Sequence, residues 1–117
     1  MEIMAFWTTI ALLLTHELDA VARHEWRILP LTSFLADATG RQVFIWAHVP
    51  LILAVLWIAA AGASSIAAIA FSAFAIAHIA LHWLFRNHPA NEFANPSSRL
   101  LIWLPGLSGA THLALVA

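Results

Sequence analysis

Residues 43–61 read VFIWAHVPLILAVLWIAAA, an apolar run that contains one histidine and no charged side chain. An α-helix needs about 20 such residues to cross the ~30 Å hydrocarbon core of a bilayer. Three further stretches of similar length and apolar character occupy residues 3–25, 65–85 and 100–116. The sequence therefore predicts an all-α fold, a bundle of four transmembrane helices that forms one integral membrane domain over residues 1–117.

The composition of the whole chain agrees with a membrane protein. Of the 117 residues, 62% are hydrophobic and only 9% are charged, whereas a soluble domain has about 25% charged residues. There is no lysine, and five arginines nearly balance six acidic residues, so no basic surface for nucleic acid is expected. The absence of cysteine excludes disulfides, iron–sulfur clusters, thiolate zinc sites and covalently attached haem.

The arginines predict the orientation in the membrane. All five flank the first and third predicted loops, while the second loop and both termini have none: Arg23, Arg27, Arg41, Arg86 and Arg99. The positive-inside rule places such loops in the cytoplasm, so both termini are expected on the non-cytoplasmic side. Four of the six tryptophans also fall near the expected cytoplasmic boundary, as in an aromatic belt: Trp26, Trp46, Trp83 and Trp103.

Five of the seven histidines lie within or beside the apolar stretches. A helical rise of ~1.5 Å per residue puts His16, His48, His78 and His82 at one depth in the cytoplasmic leaflet, within ~4 Å. His78 and His82 are four positions apart and share one face of a helix. Ionisable side chains are costly in lipid and tend to face a bundle interior and carry function. His112 lies nearer the outer face, where a packing or interhelical hydrogen-bonding role is expected.

Acidic side chains near these histidines predict a metal site. Imidazole and carboxylate together suit zinc, iron, manganese or copper, and carboxylates favour iron and manganese. Glu17 and Glu92 are candidates for a ligand or a catalytic general base, and Asp19 and Glu25 for acceptors that orient ligating imidazoles. Two further histidines lie at the expected cytoplasmic mouth. The full set of candidate ligands is His16, Glu17, His24, His48, His78, His82, His88 and Glu92.

Several histidine-centred words run through the chain: THELDA at 15–20, HEWR at 24–27, AHVP at 47–50, the pair His78 and His82, and NHPANEF at 87–93. Together they resemble a family of small, uncharacterised bacterial integral membrane proteins, a domain of unknown function, over nearly the whole chain. The resemblance implies a multi-pass protein of the bacterial inner membrane with four helices. It implies no catalytic role for any residue.

Three hypotheses of function remain open. The first is a metal-dependent membrane enzyme, an oxidoreductase or a hydrolase, acting on a lipid or another apolar substrate. The second is a b-type haem protein for electron transfer, with His48 opposite His78 or His82 as axial ligands, although nearby carboxylates are unnecessary for such a site. The third is a non-catalytic subunit or a proton relay built from histidine and glutamate, which could pair with a second copy of itself.

Overall fold

Four α-helices and no strands make up the computed structural model, which describes residues 1–117. The helices are α1 (Glu2–Ala22), α2 (Asp37–Ala61), α3 (Ile66–Leu84) and α4 (Pro96–Val116), and a short 3-10 turn spans Glu25–Arg27. This confirms the predicted all-α class. Helices α2, α3 and α4 are long and apolar enough to cross a membrane. Helix α1 falls short of that standard because its C-terminal third carries Glu17 and Asp19.

The ends of the helices follow local sequence signals. Ser65 caps α3, since its hydroxyl accepts a hydrogen bond from the Ala68 N–H at 3.1 Å. Asn95 caps α4 in the same way at the Ser98 N–H, at 2.8 Å, and a proline follows at the first helical position. Helix α1 ends at Ala22, three residues before the end of the predicted first span. The chain then turns through a left-handed conformation at His24, with φ 55° and ψ 45°.

Helices α1, α3 and α4 pack closely, and α4 lies against both of the others. Glycines of α4 allow a close approach to α3: a Cβ at Gly109 would lie 2.8 Å from the Ser72 carbonyl oxygen. Ala75 of α3 is fully buried beside it. Small residues on both helices therefore allow this close contact.

Helix α2 stands apart from these three helices and contacts them sparingly. Only Gly40 and Phe44 are buried among its 25 residues, and large apolar side chains such as Leu56 and Trp57 are exposed. Because α2 stands off, a cavity of about 240 Å³ opens between α1, α2 and α3. Its wall is almost entirely apolar, and its polar lining residues are Glu17 and His48.

Candidate metal centre

Three buried histidines from two helices meet inside the bundle. His16 of α1 is fully buried, and His78 and His82 of α3 are each 8% exposed. The three rings contact one another edge to face, with centroids 4.6 to 4.8 Å apart. One ligand nitrogen from each lies within 4.8 Å of those of the other two. The group, here called the histidine cluster, therefore has the donor set of a metal site.

The spacing of two nitrogens in the histidine cluster fits a bound ion. His16 Nε2 and His82 Nε2 are 3.2 Å apart, within N–H···N hydrogen-bond distance in the absence of an ion. Two nitrogens bound to zinc at about 2.05 Å and at the tetrahedral angle lie about 3.3 Å apart. Both nitrogens can thus face the same ion without a change of distance between the helices.

The hydrogen bonding of the histidine cluster is incomplete within the protein. The Nδ1 atoms of His16, His78 and His82 are all buried and have no hydrogen-bond partner. Buried polar atoms are nearly always satisfied, because an unpaired one costs free energy. An ion held by the Nε2 atoms of His16 and His82 would leave their Nδ1 atoms unpaired. The Nδ1 atoms therefore mark an unusually polar and incompletely paired interior, and the ligand argument depends on the Nε2 atoms.

The Glu25 carboxylate reaches the edge of the histidine cluster. Its Oε1 lies 3.4 Å from His82 Nε2, again close to the separation of two ligands on one tetrahedral ion. The side chain is buried, and burial raises the pKa of Glu25 to about 8, helped by the nearby Glu17 carboxylate and opposed by His48. The sequence predicted an orienting role for Glu25, and the structure brings its carboxylate to one histidine of the cluster, His82.

Sequence reasoning had no signal for this placement of Glu25. The left-handed turn at His24 ends the helix, and the 3-10 turn that follows carries Glu25 and Trp26 back against the bundle, where both are buried. A helix that continued through residue 25 would point the two side chains in directions set by its 3.6-residue period. The left-handed conformation at His24 is seen only in the structure, because few non-glycine residues adopt it and no residue type specifies it in advance.

His48 pairs with Glu17 and lies outside the histidine cluster. Its Nδ1–H donates to the Phe44 carbonyl oxygen at 2.7 Å, and its Nε2 lies 2.8 Å from Glu17 Oε2. The backbone bond fixes the ring so that Nε2 faces the carboxylate, as an outer-shell carbonyl does for a ligating or proton-transferring imidazole. The pair lies at the apolar cavity between α1, α2 and α3.

The candidate residues at the predicted mouth form contacts of their own. His24 Nδ1 lies 2.6 Å from Glu92 Oε2, and both side chains are more than a third exposed. This pair joins the turn after α1 to the loop after α3. His88 Nδ1 accepts a hydrogen bond from the Ala90 N–H at 3.1 Å, as a turn residue does. The histidine cluster includes none of these three residues.

Asp19 also has partners other than an imidazole. It accepts a hydrogen bond of 2.6 Å from the Ser98 hydroxyl and forms an ion pair with Arg23 at 3.3 Å. The first contact ties α1 to the start of α4, next to the helix cap. Asp19 therefore fixes the relative position of two helices, one of which carries a histidine of the cluster.

His112 is a structural residue. Its Nε2–H donates to the Ala63 carbonyl oxygen at 2.8 Å, and its Nδ1 accepts from the Ser72 hydroxyl at 2.7 Å. The ring is fully buried, and both nitrogens are satisfied, so no lone pair remains for an ion. The predicted interhelical hydrogen-bonding role of His112 is confirmed.

Comparison with known proteins identifies the family. A model described as a family of unknown function (DUF6713) matches residues 2–117. The chain belongs to this family. No curated protein and no solved structure is similar enough to count as a match. The chemistry of the protein therefore has to be argued from the histidine cluster and its surroundings.

Proposed function

We propose that this protein is a metal-dependent enzyme of the bacterial inner membrane that acts on a lipid or another apolar substrate. One transition-metal ion would be held by His16, His78, His82 and Glu25. The observation that carries the proposal is the histidine cluster itself: three buried imidazoles whose ligand nitrogens lie within 4.8 Å of one another, with the Nε2 atoms of His16 and His82 3.2 Å apart. A buried polar group of this kind inside a helical membrane protein is costly and is retained for function.

The donor set limits the choice of metal. Three imidazoles with one carboxylate suit zinc, iron or manganese better than calcium or magnesium, which prefer oxygen ligands. When bound, such an ion supplies Lewis acidity or, in the case of iron, activation of oxygen.

A haem is less suitable here. The imidazoles of the histidine cluster contact one another, and Phe93 packs at 4.7 Å, centroid to centroid, from His82, so a porphyrin would have to displace them.

The Glu17–His48 pair and the apolar cavity support an apolar substrate. The cavity between α1, α2 and α3 has the polar Glu17 and His48 side chains among apolar ones such as Leu51 and Val55. A hydrocarbon chain could enter sideways from the bilayer past α2. Glu17 would then accept a proton from the bound molecule, and His48 would hold the carboxylate in position.

Four spans with both termini outside the cytoplasm remain part of the proposal. The arginines lie at the C-terminal ends of α1 and α3 and around the N-terminal ends of α2 and α4. In an up-and-down bundle these are the same end, and the positive-inside rule makes that end cytoplasmic. Helix α1 would be included because its polar residues Glu17 and Asp19 contact other helices, which shields them from lipid.

Metal analysis of the protein, purified in detergent without chelators, tests the proposal. We expect about one equivalent of a transition metal per chain. The double variant His78→Ala and His82→Ala should lose the metal while its far-ultraviolet circular dichroism stays helical. The matched control, His88→Ala, removes an imidazole outside the histidine cluster and should keep the metal.

Two results would overturn the metal proposal. Wild-type protein with well under one equivalent of every transition metal, even after reconstitution, would exclude the site. A Soret band in the absorption spectrum would show haem in its place. Metal retained in the double variant would mean that the ligands are other residues.

A proton relay is the second candidate, favoured by the contact between Glu25 and His82 at 3.4 Å. Glu25 is also close enough to Glu17 and His48 for their charges to affect its pKa. Together with the histidine cluster, these groups form a path of proton donors and acceptors within the bundle. Metal-free protein that conducts protons in liposomes would support this candidate over the enzyme.

A further inference from the structure

The five arginines divide by their partners. Arg23 pairs with Asp19 at 3.3 Å, and Arg27 pairs with Asp37 at 2.7 Å. The other three arginines, Arg41, Arg86 and Arg99, form no ion pair with an acidic side chain. An arginine at the edge of a membrane without a carboxylate is free to bind an anion.

Two of the unpaired arginines line one pocket. Arg86, just beyond the end of α3, and Arg99, in the first turn of α4, border a cavity of about 350 Å³. This volume lies within the ~300–1,000 Å³ typical of small-molecule sites. No acidic residue lines the pocket, so its charge comes from the two guanidinium groups. Here the pocket is called the arginine pocket.

The remaining wall of the arginine pocket is mostly apolar. Ile79 of α3 and Ile102 of α4 lie on its sides, together with the indole rings of Trp83 and Trp103. Both indoles are more than half exposed, as expected for tryptophans at the boundary between headgroups and hydrocarbon. The arginine pocket thus combines positive charge with a surface that suits a hydrocarbon chain.

The Arg86 side chain is already held in place. Its guanidinium stacks 3.5 Å from the centroid of a Trp83 ring, and one N–H donates to the Trp83 carbonyl oxygen at 2.7 Å. A guanidinium has five N–H donors, so most remain available for an anion. Arg99 makes no hydrogen bond to the protein through its side chain, and all of its donors are free.

We propose that the arginine pocket binds an anionic phospholipid. The phosphate would accept hydrogen bonds from Arg86 and Arg99, and an acyl chain would lie along Ile79 and Ile102. Planar guanidinium groups bind phosphate oxygens in pairs, and basic pockets between transmembrane helices bind lipid headgroups. The inference goes beyond the proposed function, since binding requires no metal. His82 also lines the pocket, so the lipid would lie beside the histidine cluster.

Quenching of tryptophan fluorescence by brominated lipids tests the inference. The full chain is reconstituted into vesicles of phosphatidylcholine with increasing brominated phosphatidylglycerol, and separately with brominated phosphatidylcholine. We expect wild-type protein to bind the anionic lipid selectively, with quenching of Trp83 and Trp103. The double variant R86Q/R99Q should lose about 25-fold in relative affinity, at about fivefold for each basic residue.

Three comparisons make the result decisive. R41Q removes an unpaired arginine outside the pocket and should keep the selectivity; an equal loss in R41Q would show surface charge alone and overturn the proposal. The single variants R86Q and R99Q should each lose part of the selectivity, which keeps the test valid if the double variant misfolds. Full competition by inorganic phosphate would assign the site to free phosphate, and wild-type protein without selectivity would refute lipid binding.

Metal content measured on the same samples separates this inference from the proposed function. Selective lipid binding by a protein without metal would support the arginine pocket and count against the enzyme. A metal-loaded protein that binds both lipids equally would support the metal site and count against the arginine pocket.

Discussion

Replacing Glu25 with glutamine tests whether this residue is the fourth ligand of the metal centre. The Glu25 carboxylate lies 3.4 Å from His82 Nε2, where a tetrahedral ion would place a ligand about 3.3 Å from its neighbour. Glutamine has nearly the same shape, so the packing of the 3-10 turn should survive. What changes is the charge of the ligand oxygen.

The size of the effect follows from the number of ligands. A site with four protein ligands binds zinc with about 10–16 kcal/mol, so one ligand contributes about 3 kcal/mol. At about 1.4 kcal/mol for each tenfold change, Glu25→Gln should weaken binding about a hundredfold. The matched control is Glu92→Gln, which makes the same chemical change on an exposed carboxylate that contacts His24. The Glu92→Gln variant should bind the metal with the affinity of the wild type.

The pH dependence provides a second measure of the same substitution. Burial raises the pKa of Glu25 to about 8 without metal, so at neutral pH an ion must displace a proton from this carboxylate. Displacement of this proton should therefore lower the metal affinity of the wild type about tenfold for each pH unit below about 8. Above about pH 8 this contribution should level off. Glu25→Gln has no such proton and should show a shallower dependence.

Competition with a chromophoric chelator at several pH values measures both quantities. The difference between wild type and Glu25→Gln isolates Glu25, because protonation of the histidines is common to both proteins. If Glu25→Gln binds metal as tightly as wild type and with the same pH dependence, Glu25 is not a ligand, and the distance argument is refuted.

Three other substitutions are expected to separate structural from metal-binding residues. Gly109→Ala places a methyl group 2.8 Å from the Ser72 carbonyl oxygen and should lower the free energy of unfolding by about 1–3 kcal/mol; an unchanged midpoint in detergent unfolding would contradict the close helix contact. His112→Ala leaves the Ser72 hydroxyl and the Ala63 carbonyl unpaired and should cost about 2–4 kcal/mol, with metal content unchanged; loss of the metal would make His112 part of the centre. Glu17→Gln should keep one equivalent of metal, since Glu17 bonds to an imidazole outside the histidine cluster; a metal-free variant would show that Glu17 is a ligand.

Part of the histidine cluster could be predicted from spacing alone. His78 and His82 are four residues apart, and any helix places such residues on one face, one turn apart. His16 was expected at the same depth because rise per residue converts sequence position directly into depth. Depth is one coordinate of three, so it could not distinguish His16, which joins the cluster, from His48, which pairs with Glu17.

Glu25 and the arginine pocket depended on features that sequence does not encode locally. Glu25 reaches His82 because the backbone of His24 is left-handed, a conformation that few residues other than glycine adopt. Arg86 and Arg99 meet at one pocket because α3 and α4 lie close together, and that approach depends on buried glycines of α4. In both cases the contact joins residues from separate elements.

The amino-acid sequence by itself determined the all-α class, the four helices and the helix ends at which the arginines lie. These properties depend on apolar runs, helical period and the placement of arginine, all of which act over short stretches of chain. Tertiary structure decided which polar side chains meet. It separated His48 from the histidine cluster, brought Glu25 to within 3.4 Å of His82 and left His112 in a structural role. The physical reason is that metal coordination requires distances accurate to a few tenths of an ångström, and only the packing of helices and the path of the turns set distances that well.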